Sequence, residues 1–278
     1  MTWSGASIDE FNLSLLKTLE AAPIRSKRLK EALIYAARSP GKRLRPLFAR
    51  ESGALSGLDP EASTLSGIAL ECVHLFSLIH DDLPALDNDD LRRGQPTLHK
   101  KFDEGTALLA GDELLNFAYS VFAETARFAA PPAFLLALRF FSRSIGGDGM
   151  IGGQMLELEL LHEAREPDLD GLLRIQDLKT GALFRASILT PLLLSGGHPE
   201  SKDFESFQDY ANAFGFAFQI ADDLDDEAQD RAQSRKNILT LLGRDSAIRL
   251  AVERLESSPV GPKFSATAPL IARLKAKN

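Results

Sequence analysis

Apolar residues recur along this chain at helical spacing. Between Pro60 and Asp82, residues Leu65, Ala69, Cys72, Phe76 and Ile79 follow one another at intervals of four and three, the spacing that lines one face of a helix. The same pattern predicts helices over about 25–38, 42–56, 105–128, 132–145, 204–226, 244–257 and 266–276. Ser7 is the expected N-cap of a first helix running to about Ala22, with Glu10 as its capping-box partner. Ser39-Pro40-Gly41, Pro131-Pro132 and Gly146-Gly147 separate helices, the last pair preceding one that runs to about His162. Leu169–Leu194 reads as one long apolar helix interrupted by Lys179-Thr180-Gly181. Valine occurs only at positions 73, 121, 252 and 260 while Leu and Ala abound, which disfavours strands. There is no convincing hairpin signal, no strand–helix alternation and no internal repeat. The expected architecture is all-α, one domain over residues 1–278, a bundle of ten or more helices.

Two stretches break the apolar pattern with concentrated charge. GIALECVHLFSLIHDDLPALDNDDLRRG, from Gly67 to Gly94, ends in Asp81, Asp82, Asp87, Asp89 and Asp90, followed by Arg92 and Arg93. Pro84 disrupts the helix just past the first aspartate pair. FQIADDLDD, residues 218–226, places Gln219, Asp222, Asp223 and Asp226 on one helical face. Like charges four residues apart destabilise a helix, and carboxylates drawn into an apolar environment are costly unless a cation neutralises them. One such cluster alone reads equally well as a solvated acidic helix end. Two, each ending a long apolar helix, point to oxygen ligands presented from opposite walls of one cavity.

Composition narrows the partners. The chain has 278 residues, 44% of them apolar, and a net charge of −7, which makes nucleic acid an unpromising general partner. A single cysteine, Cys72, excludes internal disulfides and fits a reducing compartment. The start, MTWSGASIDEF, lacks a basic-then-apolar signal pattern. No run of about 18 apolar residues suggests a membrane span. A soluble cytoplasmic protein is expected.

The acidic clusters call for a hard cation. No His/Cys set suits zinc and no EF-hand loop is present. Mg²⁺ uses a few carboxylates and bridges to substrate phosphates. Basic residues that could hold phosphate lie near: Lys42 and Arg45 in GKRLRP, Arg92 and Arg93 after the first cluster, and Lys179 in KTG. His74, two turns before Asp81 on the same face, could face the same cavity and meet a second phosphate group.

Taken in order, GKRLRP, ECVHLFSLIHDDLPALDNDDLRRG, GDELLNFA, GGQ, KTGALF and FQIADD resemble the trans-isoprenyl diphosphate synthases, most closely the bacterial farnesyl diphosphate synthases. The resemblance runs from about Ser39 to Gly243. It implies an all-α isoprenoid synthase fold around a central cavity, commonly as a homodimer. It implies that Asp81, Asp82 and Asp87 bind Mg²⁺ through the first aspartate-rich motif, and Asp222, with Asp223 and Asp226, through the second. Three Mg²⁺ are the family expectation. Arg92, Lys179, Thr180 and Gln219 match residues that hold the allylic diphosphate. Gly41, Lys42, Arg45, His74 and Arg93 match the site for isopentenyl diphosphate, and Gln154, Phe218 and Lys236 complete the expected substrate contacts. By this resemblance Asp81, Asp82, Asp87, Lys179, Thr180 and Asp222 carry the chemistry: ionisation of the allylic diphosphate, attack by the double bond of isopentenyl diphosphate, and loss of a proton. Phe76, five residues before Asp81, looks like a fifteen-carbon stop, with small Ser77 beside it leaving a twenty-carbon product open.

Three features depart from the family pattern. Glu157 follows GGQML where Asp is usual. The second motif reads DDLDDE, leaving Asp226 as its fifth-position acid. The following loop is short, with Lys236 as its phosphate-binding lysine and Arg231 and Arg235 as substitutes. The expected activity is a Mg²⁺-dependent condensation giving farnesyl diphosphate. The alternatives are a geranylgeranyl diphosphate synthase, a terpene cyclase and a non-catalytic partner subunit. A cyclase normally lacks the second motif and the isopentenyl-diphosphate basics, and partner subunits tend to lose aspartates.

Overall fold

The computed structural model describes residues 5–163, 167–232 and 236–277, and their side chains apart from residues 5, 6 and 228–232. Fourteen α-helices carry the described chain: α1 (Gly5–Ala21), α2 (Lys27–Arg38), α3 (Leu44–Ser56), α4 (Pro60–Asp81), α5 (Leu98–Lys101), α6 (Glu104–Ala123), α7 (Pro131–Ile145), α8 (Met150–His162), α9 (Leu169–Gln176), α10 (Ala182–Leu194), α11 (Lys202–Ala232), α12 (Ile238–Leu242), α13 (Arg244–Glu256) and α14 (Thr267–Ala276). The all-α expectation holds. Ser7 lies inside α1 and is not its cap, because the helix is already formed at Gly5. The expected helix over 105–128 ends at Ala123 and tightens into a 3₁₀ turn, Glu124–Phe128. The helix expected to stop at Asp226 runs on to Ala232. One small antiparallel pairing, β1 (Leu91–Arg92) with β2 (Gln95–Pro96), had no clear signal in the sequence. Its turn residues Arg93 and Gly94 both have positive φ, the demand of a type I′ hairpin. Arginine is not the residue that usually advertises such a turn.

The contacts divide the chain into two compact units, one of Trp3–Arg50 and Asp59–Phe128, the other chiefly of Glu51–Leu58 and Ala129–Asn278. In the first unit α4 packs against α6, while α2 packs on α1 and α6. Asp59 caps α4 by accepting from the Glu61 N–H at 2.7 Å, and Pro60 occupies the first turn, where its missing N–H costs nothing. Residues all round α4 are buried, as expected for a helix apolar on every side. Its mean hydropathy of 1.5 would pass for a membrane span, but 72% of that window is buried in the folded chain, the mark of a core helix. Leu15, Leu19, Leu33, Phe48 and Leu70 fill the surrounding core, each contributing roughly 1.5–3 kcal/mol by burial.

In the second unit α10 lies against α7 and α11, and α13 packs on α11. An aromatic cluster holds this core together. Phe184 meets Phe214 and Phe218 at 5.2 and 5.1 Å between ring centroids, and Tyr210 stacks on Phe264 at 4.5 Å. The buried Tyr210 hydroxyl shares a 2.8 Å hydrogen bond with Thr267, so its polar tip is satisfied. The interruption expected at Lys179-Thr180-Gly181 is a π-helical turn, Asp177–Gly181, joining α9 to α10 without a break in the helical path.

Candidate active site

In the first unit, α4 ends at the aspartate pair. Asp82 is its C-cap and is almost fully buried. Burial pushes its carboxyl above the usual carboxylate range, and Arg92, whose Nε donates to Asp82 Oδ1 at 2.5 Å, pulls the other way. Arg92 also reaches Asp89 at 3.2 Å. Asp90 pairs with Lys100 at 2.8 Å, which holds its carboxyl below the usual range. Asp81 is partly accessible and Asp87 exposed. The Asp87 N–H donates to the Asp81 carbonyl at 2.8 Å, curling the chain back so that the two acids stay on one turn. The residues of the first motif are therefore gathered at one helix end, with Arg92 among them.

Two turns up α4, His74 faces a cluster of guanidinium groups. It keeps a partly accessible edge, yet its ring is enclosed by protein. That desolvation, reinforced by Arg45, Arg93, Arg43 and Arg92, drives its pKa well below the ordinary histidine value, so it is neutral at pH 7. Arg93 reaches in from the hairpin and donates to the Pro40 carbonyl. A Cβ on Gly41 would stand 2.5 Å from Arg93 Nη1, so a side chain there would push that guanidinium from its place. Gly41, Arg45, His74 and Arg93 are thus brought together, with exposed Lys42 on the same turn. Phe76 is buried and meets the His80 ring edge-on at 5.1 Å, and His80 Nε2 lies 3.1 Å from the Leu108 carbonyl of α6. Ser77 donates back to the His74 carbonyl at 2.9 Å.

Sequence reasoning missed a buried ion pair in this cluster. Arg43, 4% exposed, donates from Nη1 to Glu71 Oε1 at 2.5 Å, and Glu71 is 2% exposed. The available signal was a glutamate inside the apolar run from Gly67 to Val73.

In the second unit the π-helical turn presents Lys179 and Thr180. Such turns leave the regular carbonyl ladder locally mismatched, and they recur at functional sites. Helix α8 runs against the turn through Gly153, where a Cβ would lie 2.3 Å from the Lys179 backbone nitrogen. One turn further along α8, Glu157 accepts from Lys179 Nζ at 2.5 Å. The Glu157 carboxylate is therefore engaged by this lysine. Thr180 Oγ1 donates to Gln219 Oε1 at 3.4 Å, bringing the turn to α11. Gln154, on α8, and Phe218, on α11, are partly accessible.

The acids of α11 have separate fates. Asp223 is 6% exposed and accepts from Gln219 Nε2 at 2.8 Å and from the Ile238 N–H at 3.2 Å. Asp222 is partly accessible, 3.7 Å from Arg273. Asp225 pairs with Arg273 and with Lys277 at 2.8 Å. Asp226 and Lys236 are exposed. The expected substitutes after the second motif, the Arg231 side chain and Arg235, lie outside the described residues. Among the described residues no preformed group of three or more His, Cys, Asp or Glu is gathered as a metal site. The donor set is nonetheless all carboxylate oxygen, which fits a hard divalent ion that keeps waters and takes further ligands from a phosphate.

Comparisons with known proteins identify the family. The family model described as polyprenyl synthetase matches residues 26–252. The farnesyl diphosphate synthase of Escherichia coli (strain K12) is 37% identical over 219 residues, 78% of this chain and 72% of that one. The chloroplastic geranylgeranyl pyrophosphate synthase of Capsicum annuum is 35% identical over 218 residues, 78% of this chain and 58% of that one. The apo structure of an FPP/GFPP synthase from Zymomonas mobilis superposes with a TM-score of 0.82 at 36% identity, covering 96% of this chain and 93% of that one. The chain belongs to the polyprenyl synthetase family, with its all-α isoprenoid synthase fold. Within that class it is a trans-prenyltransferase resembling bacterial farnesyl diphosphate synthases.

Proposed function

We propose that this protein condenses isopentenyl diphosphate with dimethylallyl or geranyl diphosphate to give farnesyl diphosphate and diphosphate. The observation that carries this reading is the first unit's juxtaposition. A neutral His74 sits among Arg45, Arg93, Arg43 and Arg92, on the same helix that ends in Asp81 and Asp82. Such a helix offers an anion pocket for one diphosphate and carboxylates for the cations of another. The family membership supports it, and residues 1–278 are taken to act as one catalytic domain.

Gly41, Lys42, Arg45, His74 and Arg93 bind the diphosphate of isopentenyl diphosphate. Neutral His74 donates a hydrogen bond there without adding charge to an already cationic pocket. Arg92 and Lys179 hold the allylic diphosphate, with Lys236, Gln154 and Phe218 as further contacts. Asp81, Asp82, Asp87, Asp222, Asp223 and Asp226 are the residues that would hold Mg²⁺. Asp81, Asp87, Asp222 and Asp226 offer accessible oxygens, and Asp223 does so only by releasing Gln219 and Ile238. Mg²⁺ supplies Lewis-acid neutralisation of the leaving diphosphate and a template for it. The allylic C–O bond breaks, and the carbonyls of the π-helical turn, with the Thr180 and Gln219 oxygens, stabilise the resulting carbocation. Apolar walls exclude water that would quench it. The double bond of isopentenyl diphosphate forms the new C–C bond, and the proton released from the adjacent carbon goes to the departing diphosphate. Phe76 is the floor that stops growth at fifteen carbons. The protein is read as a cytoplasmic homodimer.

Incubation with Mg²⁺, isopentenyl diphosphate and dimethylallyl or geranyl diphosphate, followed by chromatography of the dephosphorylated products, tests this. A fifteen-carbon alcohol is expected, abolished by EDTA. A twenty-carbon product would move the assignment to a geranylgeranyl diphosphate synthase, and no elongation would sink it. Phe76→Ala should lengthen the product, and an unchanged fifteen-carbon product would dismiss Phe76 as the floor.

A further inference from the structure

We propose that Glu71 and Arg43 form a positioning pair for the isopentenyl-diphosphate pocket. Glu71 fixes Arg43, and Arg43 holds the turn between α2 and α3 in the shape that presents Gly41, Lys42 and Arg45. The inference rests on the assignment of those residues to that substrate, made above.

Arg43 is committed on every side. Its Nε donates to Asn12 Oδ1 at 2.8 Å, its Nη1 to Glu71 Oε1 at 2.5 Å, and its Nη2 to the Ala37 and Ser39 carbonyls at 2.7 and 3.0 Å. Ala37 and Ser39 close α2, so the guanidinium caps carbonyls that have no helical partner and sits at the negative end of the helix dipole. Arg43 holds a φ of +47° to do this, a left-handed conformation that L residues adopt only when other contacts compensate. A cation this deeply buried needs a fixed anion nearby, and Glu71 supplies it from the rigid core helix. Its second oxygen, Oε2, is buried without a hydrogen-bond partner among the described residues, so the carboxylate's interaction with Arg43 is its main compensation.

The turn is gripped from its other side too. Arg93 donates to the Pro40 carbonyl, and the Gly41 Cβ position lies 2.5 Å from Arg93 Nη1 and 3.4 Å from Arg43 Nη1. Glu71 also attracts Arg93 electrostatically. One carboxylate therefore organises residues from three segments, the α2–α3 turn, α4 and the hairpin, that serve the same substrate. A pair of merely structural value would lower the amount of folded enzyme and leave both Michaelis constants alone. A positioning pair would move one of them.

Glu71→Gln keeps the shape and removes the charge. In purified enzyme that retains its helical circular dichroism, KM for isopentenyl diphosphate should rise about tenfold or more, the cost of displacing charge-assisted hydrogen bonds. KM for the allylic substrate and kcat should change by less than about twofold. Should the single variant misfold, Glu71→Leu combined with Arg43→Met removes both charges together, a replacement that buried pairs often tolerate. That folded double variant should keep the raised KM. Normal isopentenyl-diphosphate KM in either folded variant overturns the inference. Arg45→Met serves as the reference. If it raises that KM and Glu71→Gln does not, the positioning role fails alone. If neither moves it, the assignment of the pocket itself fails.

Discussion

The two acidic clusters share a signature in sequence but differ in how the fold compensates their charge. At the end of α4 the helix stops, Asp82 is buried on Arg92, and Asp87 is brought back by its N–H to the Asp81 carbonyl. In α11 the helix continues past its acids. There Asp223 is tied to Gln219 and the Ile238 N–H, while Asp225 turns to Arg273 and Lys277. One cluster is an end, with a cation folded into it. The other is a helical face divided between packing and solvent. An acidic burst after an apolar run thus does not by itself say which carboxylates remain available to an ion.

The largest contrast should appear in catalysis. Asp81→Asn is expected to lower kcat by roughly 10²–10³-fold, as for loss of one preorganised electrostatic contact. Asp226→Asn, at the exposed end of the second face, should cost about tenfold or less, since one missing ligand there can be replaced by water. Steady-state kinetics at saturating Mg²⁺ measures both, and equal losses would erase the distinction.

Stability should separate Asp223 from its neighbours. Asp223→Ala leaves a part-buried amide and a buried N–H without their acceptor, at about 1–3 kcal/mol. A fall in Tm of several degrees should follow, at roughly 2–4 °C per kcal/mol for a chain of this size. Asp226→Ala should leave Tm unchanged by calorimetry. An unshifted Tm in Asp223→Ala would show that its hydrogen bonds carry no weight.

Acid titration should give the two regions opposite slopes. Burial raises the Asp82 carboxyl, so its contribution to stability is greatest when it is protonated and is lost as pH rises through its folded value. Lys277 lowers the Asp225 carboxyl, so its contribution is present above the ordinary aspartate range near ~3.9 and is lost as pH falls through the folded value. The Tm advantage of the parent over Asp82→Asn should grow on acidification, and that over Asp225→Asn should shrink. The latter is the smallest effect, less than about 1 kcal/mol, because the pair lies largely in solvent. Parallel slopes in the two variants would contradict the contrast.

Much of the scaffold was legible because its signal is periodic. The three-and-four spacing of Leu65, Ala69, Cys72, Phe76 and Ile79 marks α4, and Pro60 marks its start. The face shared by Gln219 and Asp223 was legible too, and the two do bond across one turn. The elements that went unseen are short: α5, α12 and the two-residue strands carry too few residues to show a period. The π-helical turn announced itself only as an interruption, because its nature lies in a shift of backbone hydrogen bonds and not in residue type.

What the sequence by itself determined was the helical class, the order of the motifs, the kinds of donor they carry and the chemistry those donors favour. These depend on neighbours within a turn or two, which composition and spacing record. What only the tertiary structure decided was which charged group meets which. Arg43 and Glu71 are 28 residues apart and meet at 2.5 Å. Asp222 and Asp223 are adjacent, and the start of α12, brought against α11, engages only the second. Burial and pairing set the energy of a charge, and both depend on segments that sequence spacing does not bring together.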